Sequence, residues 1–536
     1  MVKKGQIRNY KIIDYQSAAN SLTLAEKVGQ FFMPAAFIND SEEEILKLQE
    51  LIRKYHLGGL CFFHSRASAA TNYEGKKQVV YNKDSFSVLK SLIKRYQQVA
   101  KYPLIISIDA EWGLAMRIEN TPQYPYAITL GALDNNHDDV ITEVGRNIAS
   151  DCKLAGVHWN FSPVVDINSN PENPVIGYRS FGSDRHNVVQ KSLAFAKGLQ
   201  SKGILTSAKH FPGHGDTATD SHLGLPIITK SKDELLENEL YPFIQLIQNG
   251  VDSIMVGHLA VPGLTGGSME PSSISKKMIK GLLREELGFQ GLVVSDAMNM
   301  HAVSKMYSNK GDLEWAAFDA GNDILCFAEH IPEGIDKIQL NATSTQIEEA
   351  FKRVWELKEK AINSEVKIPN ELSKPDILNM EIAKNSMTIF RGNISDINTL
   401  KEEGFLSISN LQKTDNLFIT LLEEHLNFKI TSLHEVSYKS DMAREENILL
   451  SLFPPQVKPA HNFGFTETEI RLINDLISSK NVVLYLFGNP YALRVFDYKK
   501  IKAVVLVYQE FSVFQRVAAE HFFGRLKANG KLPVVL

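Results

Sequence analysis

From Thr23 to about Ile362, short apolar, β-rich runs alternate with amphipathic helical runs, the pattern of βα units wrapped around a parallel sheet. One early helix is marked out by its own punctuation. Ser41 and Glu44 form a capping box, Ile45, Leu48, Leu51 and Ile52 make one apolar face, and Gly58 supplies the stop. Strands are predicted over 60–63, 104–108, 157–161, 206–208, 253–256, 292–295 and 323–326. Most of these runs stop at a polar or charged residue: His64, Asp109, the Lys209/His210 pair, His258 and Asp296. Buried parallel strands tolerate few such groups, whereas the C-terminal strand ends of a (β/α)8 barrel open onto the active-site face. The clustering therefore predicts an α/β protein built on a TIM-type barrel with one convergent site. Each residue taken singly also reads as a cap for the following helix.

The barrel pattern covers residues 20–362 and closes with a helix over 346–361, on which Ile347, Ala350, Phe351, Val354 and Leu357 share a face. A polar, proline-bearing stretch at 363–375 reads as a linker. Beyond it, apolar runs at 405–408, 417–422, 448–453, 482–487 and 503–508, with helical segments such as 467–477 between them, predict a second α/β domain over 376–536. That domain lacks a glycine-rich phosphate loop and carries few ionisable groups at its strand ends, so a structural role is expected.

Composition narrows the function classes. The 536 residues are 44% hydrophobic and 22% charged, an ordinary globular balance with ample material for two cores. A formal charge of −4 with scattered Lys and Arg lacks the basic footprint of a nucleic-acid binder. The three cysteines, Cys61, Cys152 and Cys326, lie far apart in apolar stretches and read as buried thiols. No apolar run has signal-peptide or membrane-span length, so a cytoplasmic location is expected, or a periplasmic one had an export signal been removed. Nothing implies a membrane or an obligate protein partner.

The chemistry concentrates in two segments. After a predicted strand, Lys209-His210-Phe211-Pro212-Gly213-His214-Gly215-Asp216 runs on to Asp220-Ser221-His222, and its Pro and Gly residues force a loop. Asp220 and His222 stand two apart, so the carboxylate can grip one imidazole nitrogen while the other faces a substrate. In the second segment, the apolar strand ending at Ser295 delivers a single carboxylate, Asp296. Such a group can attack an anomeric carbon while a second group protonates the leaving oxygen and then activates water, which His222 can do. A histidine in that role departs from the usual carboxylate pair. His214 and Asp216 read instead as internal ties of the loop.

The residues now resemble a known family along almost the whole chain: glycoside hydrolase family 3, in its β-N-acetylglucosaminidase (β-hexosaminidase) branch. The resemblance rests on Ile108-Asp109-Ala-Glu111, Asn160-Phe-Ser-Pro-Val-Val-Asp166, Ile176-Gly-Tyr-Arg179-Ser-Phe-Gly182, the 209–222 loop, and Glu286-Leu-Gly-Phe-Gln-Gly-Leu-Val-Val-Ser-Asp296. The Asp-Ser-His of that loop is what resembles this branch; related β-glucosidases place a glutamate acid/base in the second domain. Two departures stand out: Trp112, where many members have glycine, and Ala297, where an acidic residue often follows the nucleophile.

The resemblance implies an αβα sandwich as the second domain and a retaining, exo-acting hydrolase that needs no cofactor or metal. Asp296 would be the nucleophile and Asp220/His222 the acid/base. Asp109, Arg117, Arg179, Lys209, His210 and His258 would hold the sugar, and the substrate would be an N-acetylglucosamine-capped saccharide or muropeptide from cell-wall recycling. Three rivals stay open: a metal-dependent barrel hydrolase using His210, His214, Asp216, His222, His258 and Asp296; a phosphorolytic or transferring variant; and a carbohydrate-binding protein without turnover. Against the metal, Lys209 and Arg179 would place positive charge in the same site.

Overall fold

The computed structural model describes residues 12–64, 80–217, 224–435 and 445–536. They group into two compact units: Met1–Gln123, Thr142–Asp166 and Ser192–Ser373 in the first, and Tyr124–Ile141, Ile167–Lys191 and Lys374–Leu536 in the second.

The first unit is an α/β barrel. Its strands are β1 (Phe32–Met33), β2 (Ala35–Phe37), β3 (Gly59–Phe63), β4 (Ile105–Ile108), β5 (Trp159–Asn160), β6 (Ser207–Phe211), β7 (Ser253–Val256), β8 (Leu292–Ser295) and β9 (Leu325–Cys326). Parallel pairing runs β2-β3-β4-β5, β6-β7-β8 and β1-β9. Single bridges, Trp159 with Leu205 and Val294 with Ile324, join these sets, and Pro34 links β1 to β2, so the pairing travels around a ring of eight strand positions. Val, Ile and Leu dominate the strands because both faces are buried, one in the barrel and one under helices. Phe211, Phe243, Ile254, Met278, Leu282 and Val293, for example, form one core cluster beneath β6 to β8, where each such side chain stabilises the fold by about 1.5–3 kcal/mol.

Three local features differ from the sequence expectation. The first barrel strand is absent from it, because Pro34 splits the strand into pieces too short to alternate visibly. The helix capped by Ser41 is Glu42–Tyr55, and it stops at His56, whose φ of 52° places it in the left-handed region. Gly58 serves another purpose: a Cβ there would lie 1.9 Å from the Gln30 carbonyl oxygen, so the barrel chain passes too closely for any side chain. The closing helix is Ser344–Ile362, with a capping box of Thr343 and Gln346.

The second unit is built on a six-stranded sheet in the order β10-β15-β14-β13-β11-β12, comprising Thr388–Arg391 (β10), Leu406–Ser409 (β11), Lys429–Ser432 (β12), Asn447–Leu452 (β13), Asn481–Leu486 (β14) and Ala503–Leu506 (β15). Only the β10-β15 pair is antiparallel. Helices Ile394–Glu403 and Glu467–Ser479 pack on the central strands, while Ser512–Phe522 packs with Asp376–Ser386 and Leu417–Glu423. The apolar run at 417–422 is thus helical, started by Asn416, whose side chain accepts from the Ile419 N–H. The edge strands β10 and β12 were not anticipated, since their half-exposed sequences carry little apolar signal.

Candidate active site

Strand β4 ends at Ile108 and hands Asp109 to the C-terminal rim. Asp109 Oδ1 accepts from Lys209 Nζ at 2.7 Å and Oδ2 from Arg117 Nη2 at 3.0 Å. Lys209, buried within β6, also lies 2.8 Å from Glu111 Oε1. Two carboxylates and two cations thus interlock. Burial alone would raise the Asp109 pKa, but the charges of Lys209 and Arg117 outweigh it and hold the group below the ordinary carboxylate value. Arg117 returns over the site because the chain turns through Gly113, at φ 106°, into a short 3-10 turn. Its guanidinium stacks 4.1 Å from the Phe63 ring centroid at the end of β3. One residue on, His64 bonds Glu119, which also accepts from the Asn82 N–H at 3.1 Å.

A second knot surrounds Asp166. It accepts from the His210 N–H at 3.1 Å, from His210 Nδ1 at 2.7 Å and from the His214 N–H at 2.7 Å. A carboxylate partner places the proton of neutral His210 on Nδ1 and leaves Nε2 for other bonding. Burial pushes the Asp166 pKa up, yet the neighbouring His210 and the hydrogen bonds bring it below the ordinary value. His214 is lowered to about 4, by burial first and by His210 second, so it is neutral near pH 7. Its Nδ1 lies 2.7 Å from the Thr217 hydroxyl, and Asp216 pairs with Lys230 at 2.7 Å. The loop ties read from sequence are therefore present.

The third element is Asp296, at the end of β8, with its Oδ1 accepting from the Ala297 N–H at 2.8 Å. His258, following β7, donates from Nε2 to the Ala297 carbonyl at 3.0 Å, which leaves Nδ1 to accept from Ser273 Oγ at 2.6 Å. Both ring nitrogens of His258 thus bond the protein, fixing the peptide next to Asp296. Cys326 stands at the end of β9. Contact with Cys61 and burial push its thiol well above the ordinary value, and the charges of Asp109 and Asp296 both add to the effect. Asp296 is also felt by His214. Cys326 is thus a neighbour common to the carboxylates that follow β4 and β8.

Of the residues singled out from sequence, Asp109, Arg117, Lys209, His210, His258 and Asp296 stand on the barrel's C-terminal rim. Arg179 belongs to the second unit, on the turn Gly177–Arg179, where its Nη1 donates to the Val175 carbonyl at 3.3 Å. Asp220 and His222 lie outside the described residues. Asp166 and Glu111 were quoted in motifs without a task. The signal for Asp166 was the apolar stretch Phe161–Val165 before it, the same strand-end pattern, missed because the strand was ended at Phe161. Val164 in fact bridges to Lys209.

Comparison with known proteins gives one consistent picture. The model of the glycosyl hydrolase family 3 N-terminal domain matches residues 23–357. β-Hexosaminidase A of Pseudoalteromonas piscicida is 33% identical over 342 residues, covering 59% of this chain and 55% of that protein. β-Hexosaminidase of Tolumonas auensis is 32% identical over 290 residues, covering 53% of this chain and 78% of its own. The chain spans about half the length of the first of these relatives. Among solved structures, a glycoside hydrolase family 3 β-N-acetylglucosaminidase from Paenibacillus sp. FPU-7 is 26% identical, with a TM-score of 0.77 over 96% of this chain and 99% of that one. The β-glucoside phosphorylase BglX, at 21% identity and a TM-score of 0.80, covers 97% of this chain and 95% of its own, and shares the fold.

Proposed function

The chain belongs to glycosyl hydrolase family 3, and from that premise we propose that it is a retaining, exo-acting β-N-acetylglucosaminidase that removes terminal N-acetylglucosamine from cell-wall-derived glycans. The observation that carries the reading is the rim itself. Asp109, paired with Lys209 and Arg117 after β4, and Asp296, after β8, stand at the same end of the barrel and both bear on the buried Cys326, and the Asp220-Ser221-His222 sequence follows β6 in the chain. The names of the two relatives, both β-hexosaminidases, support the choice of sugar.

In the first step an Asp296 oxygen bonds to the anomeric carbon as the glycosidic C–O bond breaks, and His222 gives its proton to the departing oxygen. In the second step His222 takes a proton from water, the water oxygen bonds to the anomeric carbon, and the Asp296 ester bond breaks. Asp220 orients the imidazole and stabilises its charged form. Asp109, Lys209, Arg117 and His210 grip sugar hydroxyls with charge-assisted hydrogen bonds, and His258 holds the Ala297 peptide so that Asp296 keeps its aim.

The test is release of an aryl group from an N-acetyl-β-glucosaminide and from a β-glucoside, by wild type and Asp296→Ala, with a chelator control. Turnover of the first substrate alone, lost in the variant and indifferent to chelation, is expected. Turnover of neither substrate returns the binding-protein reading, chelator-sensitive turnover the metallohydrolase, and a phosphate-dependent sugar phosphate product the phosphorolytic variant.

A further inference from the structure

The loop that leaves β6 is bracketed at its base by three charged side chains that the catalytic reading does not use. On the outgoing limb, the Gly213 N–H donates to the His210 carbonyl at 2.7 Å, and the Thr217 hydroxyl donates to the His214 carbonyl at 3.0 Å. On the returning limb, the Ile228 N–H donates to Ala260 O at 3.0 Å and the Ala260 N–H to Pro226 O at 2.9 Å, anchoring the chain beside the residues that follow β7. Lys230 comes next, immediately before Ser231, the N-cap of helix Lys232–Glu237.

Lys230 joins the two limbs. Its Nζ lies 2.7 Å from Asp216 Oδ2 on the outgoing limb and 2.6 Å from Glu239 Oε1 on the scaffold. The Glu239 side chain is 1% exposed, and Oε1 also accepts from Asn238 Nδ2 at 3.1 Å. Glu239 packs directly beneath the loop's start, since a Cβ on Gly213, at φ 125°, would come within 2.9 Å of its own Cβ. Burial opposes the charge on Lys230, but Asp216 and Glu239 outweigh it and raise its pKa.

We propose that Asp216, Lys230 and Glu239 are positioning residues that set the reach of the acid/base loop, in addition to stabilising it. The proposal rests on the reading of Asp220 and His222 as acid/base. Asp216 precedes Asp220 by four positions and His222 by six. The bridge from Lys230 to Asp216 and Glu239 closes the chain at the two limbs from which the acid/base sequence is held. A general acid works only within hydrogen-bond reach of the leaving oxygen, and a 1 Å misplacement costs on the order of 10²-fold. An ordinary surface ion pair would bring together two solvated side chains; here the ammonium spans from the loop to a carboxylate sealed beneath it.

The experiment compares kcat/KM for two N-acetyl-β-glucosaminides, one with an activated aryl leaving group and one with an alkyl leaving group, because departure of the first needs little protonation. Asp216→Asn is the chosen variant, as it keeps the Lys230–Glu239 pair and shields the fold from a stranded buried carboxylate. Expected is a loss of about 10- to 100-fold on the alkyl substrate and under about threefold on the aryl one, with unchanged thermal melting and recovery in Asp216→Glu. Equal losses on both substrates, or none on either, would overturn the proposal. His222→Ala in the same assay tests the underlying reading separately: if it does not steepen the leaving-group dependence, the acid/base assignment fails; if it does while Asp216→Asn does not, only the bracket fails.

Discussion

The two ends of the barrel both hold buried carboxylates, and the partners differ. At the N-terminal strand ends, Asp323 precedes β9 and accepts from Arg284 Nη2 at 2.7 Å, Arg353 Nε at 2.9 Å and the Val293 N–H at 2.8 Å. Asp252 precedes β7 and accepts from the Thr206 N–H, the Thr206 hydroxyl and Gln200 Nε2 at 2.8–2.9 Å, and from Lys360. These donors come from neighbouring strands and from helices Arg185–Ser201, Lys277–Glu286 and Ser344–Ile362, so the carboxylates staple helix to strand. At the C-terminal ends, Asp109 and Glu111 share Lys209, while Asp166 holds the His210 imidazole and the backbone N–H groups of His210 and His214. Burial and ion pairing are therefore common to both ends. What separates them is where the cations come from: at the N-terminal end from the surrounding helices, at the C-terminal end from the strand-end residue Lys209 and from Arg117, which returns over the rim.

The sharpest way to break that comparison is to remove one carboxylate from each end. Asp296→Ala is expected to lower kcat by at least about 10⁴-fold, roughly 5.5 kcal/mol of barrier, with melting unchanged. Steady-state kinetics beside a thermal melt reads both. Asp323→Ala should do the opposite. Two arginines lose their buried partner, at a cost of about 3–5 kcal/mol in stability, while kcat per folded molecule is kept. Denaturant titration together with active-site-normalised turnover checks it; a large loss of turnover in folded protein would erase the distinction between the two ends.

Lys209→Met sharpens the comparison, because this residue belongs to the rim and is also buried. It should lower kcat/KM by about 10²-fold through misplaced Asp109. It also has a pH signature. In wild type the Asp109 pKa is depressed, so the stability its pairing contributes is fully present above the unfolded carboxylate value and is lost as pH falls through the lower folded value. Without Lys209, burial prevails more and the pKa rises, so the acid limb of kcat/KM is expected to move to higher pH. A pH–rate profile of the variant with its limb unmoved would show that Lys209 does not keep Asp109 ionised.

The barrel was legible in the chain because its strands are buried on both faces and end in charge, two signals that survive without any contact information. The first strand was not, since Pro34 cut it below the length at which a pattern can be read. Asp109, Lys209, His258 and Asp296 were legible from their place after apolar runs. The pairing of Asp166 with His210 and His214 was not, because a carboxylate 44 residues upstream of His210 joins it only through the parallel bridge of Val164 to Lys209. Nor was the task of His258 visible. Nothing in the local sequence says that its two nitrogens meet Ser273, 15 residues away, and Ala297, 39 residues away.

The last expected effect is read in stability alone and concerns a buried carboxylate in neither group. Asp151, on the helix Asp138–Ala155, accepts from the Ser373 N–H at 2.7 Å and the Ser373 hydroxyl at 2.6 Å and so holds the segment that follows the closing helix. Among the described residues no cation pairs with it, and burial, only partly offset by these two bonds, raises its pKa to about 6. Because the folded value lies above the unfolded one, the contribution of Asp151 to stability is fully present below the unfolded pKa and is lost as pH rises through about 6. Asp151→Asn can still accept from the Ser373 N–H and donate to the Ser373 hydroxyl, but does not ionise. The variant should therefore gain on wild type between pH 4 and 6, by up to about 3 kcal/mol, and hold that margin above pH 6. Melting temperatures of the two proteins across that range read the margin directly. A margin flat with pH would mean that Asp151 ionises as readily in the folded chain as in the unfolded one, and that two hydrogen bonds from Ser373 suffice at this site where Asp323 takes two arginines.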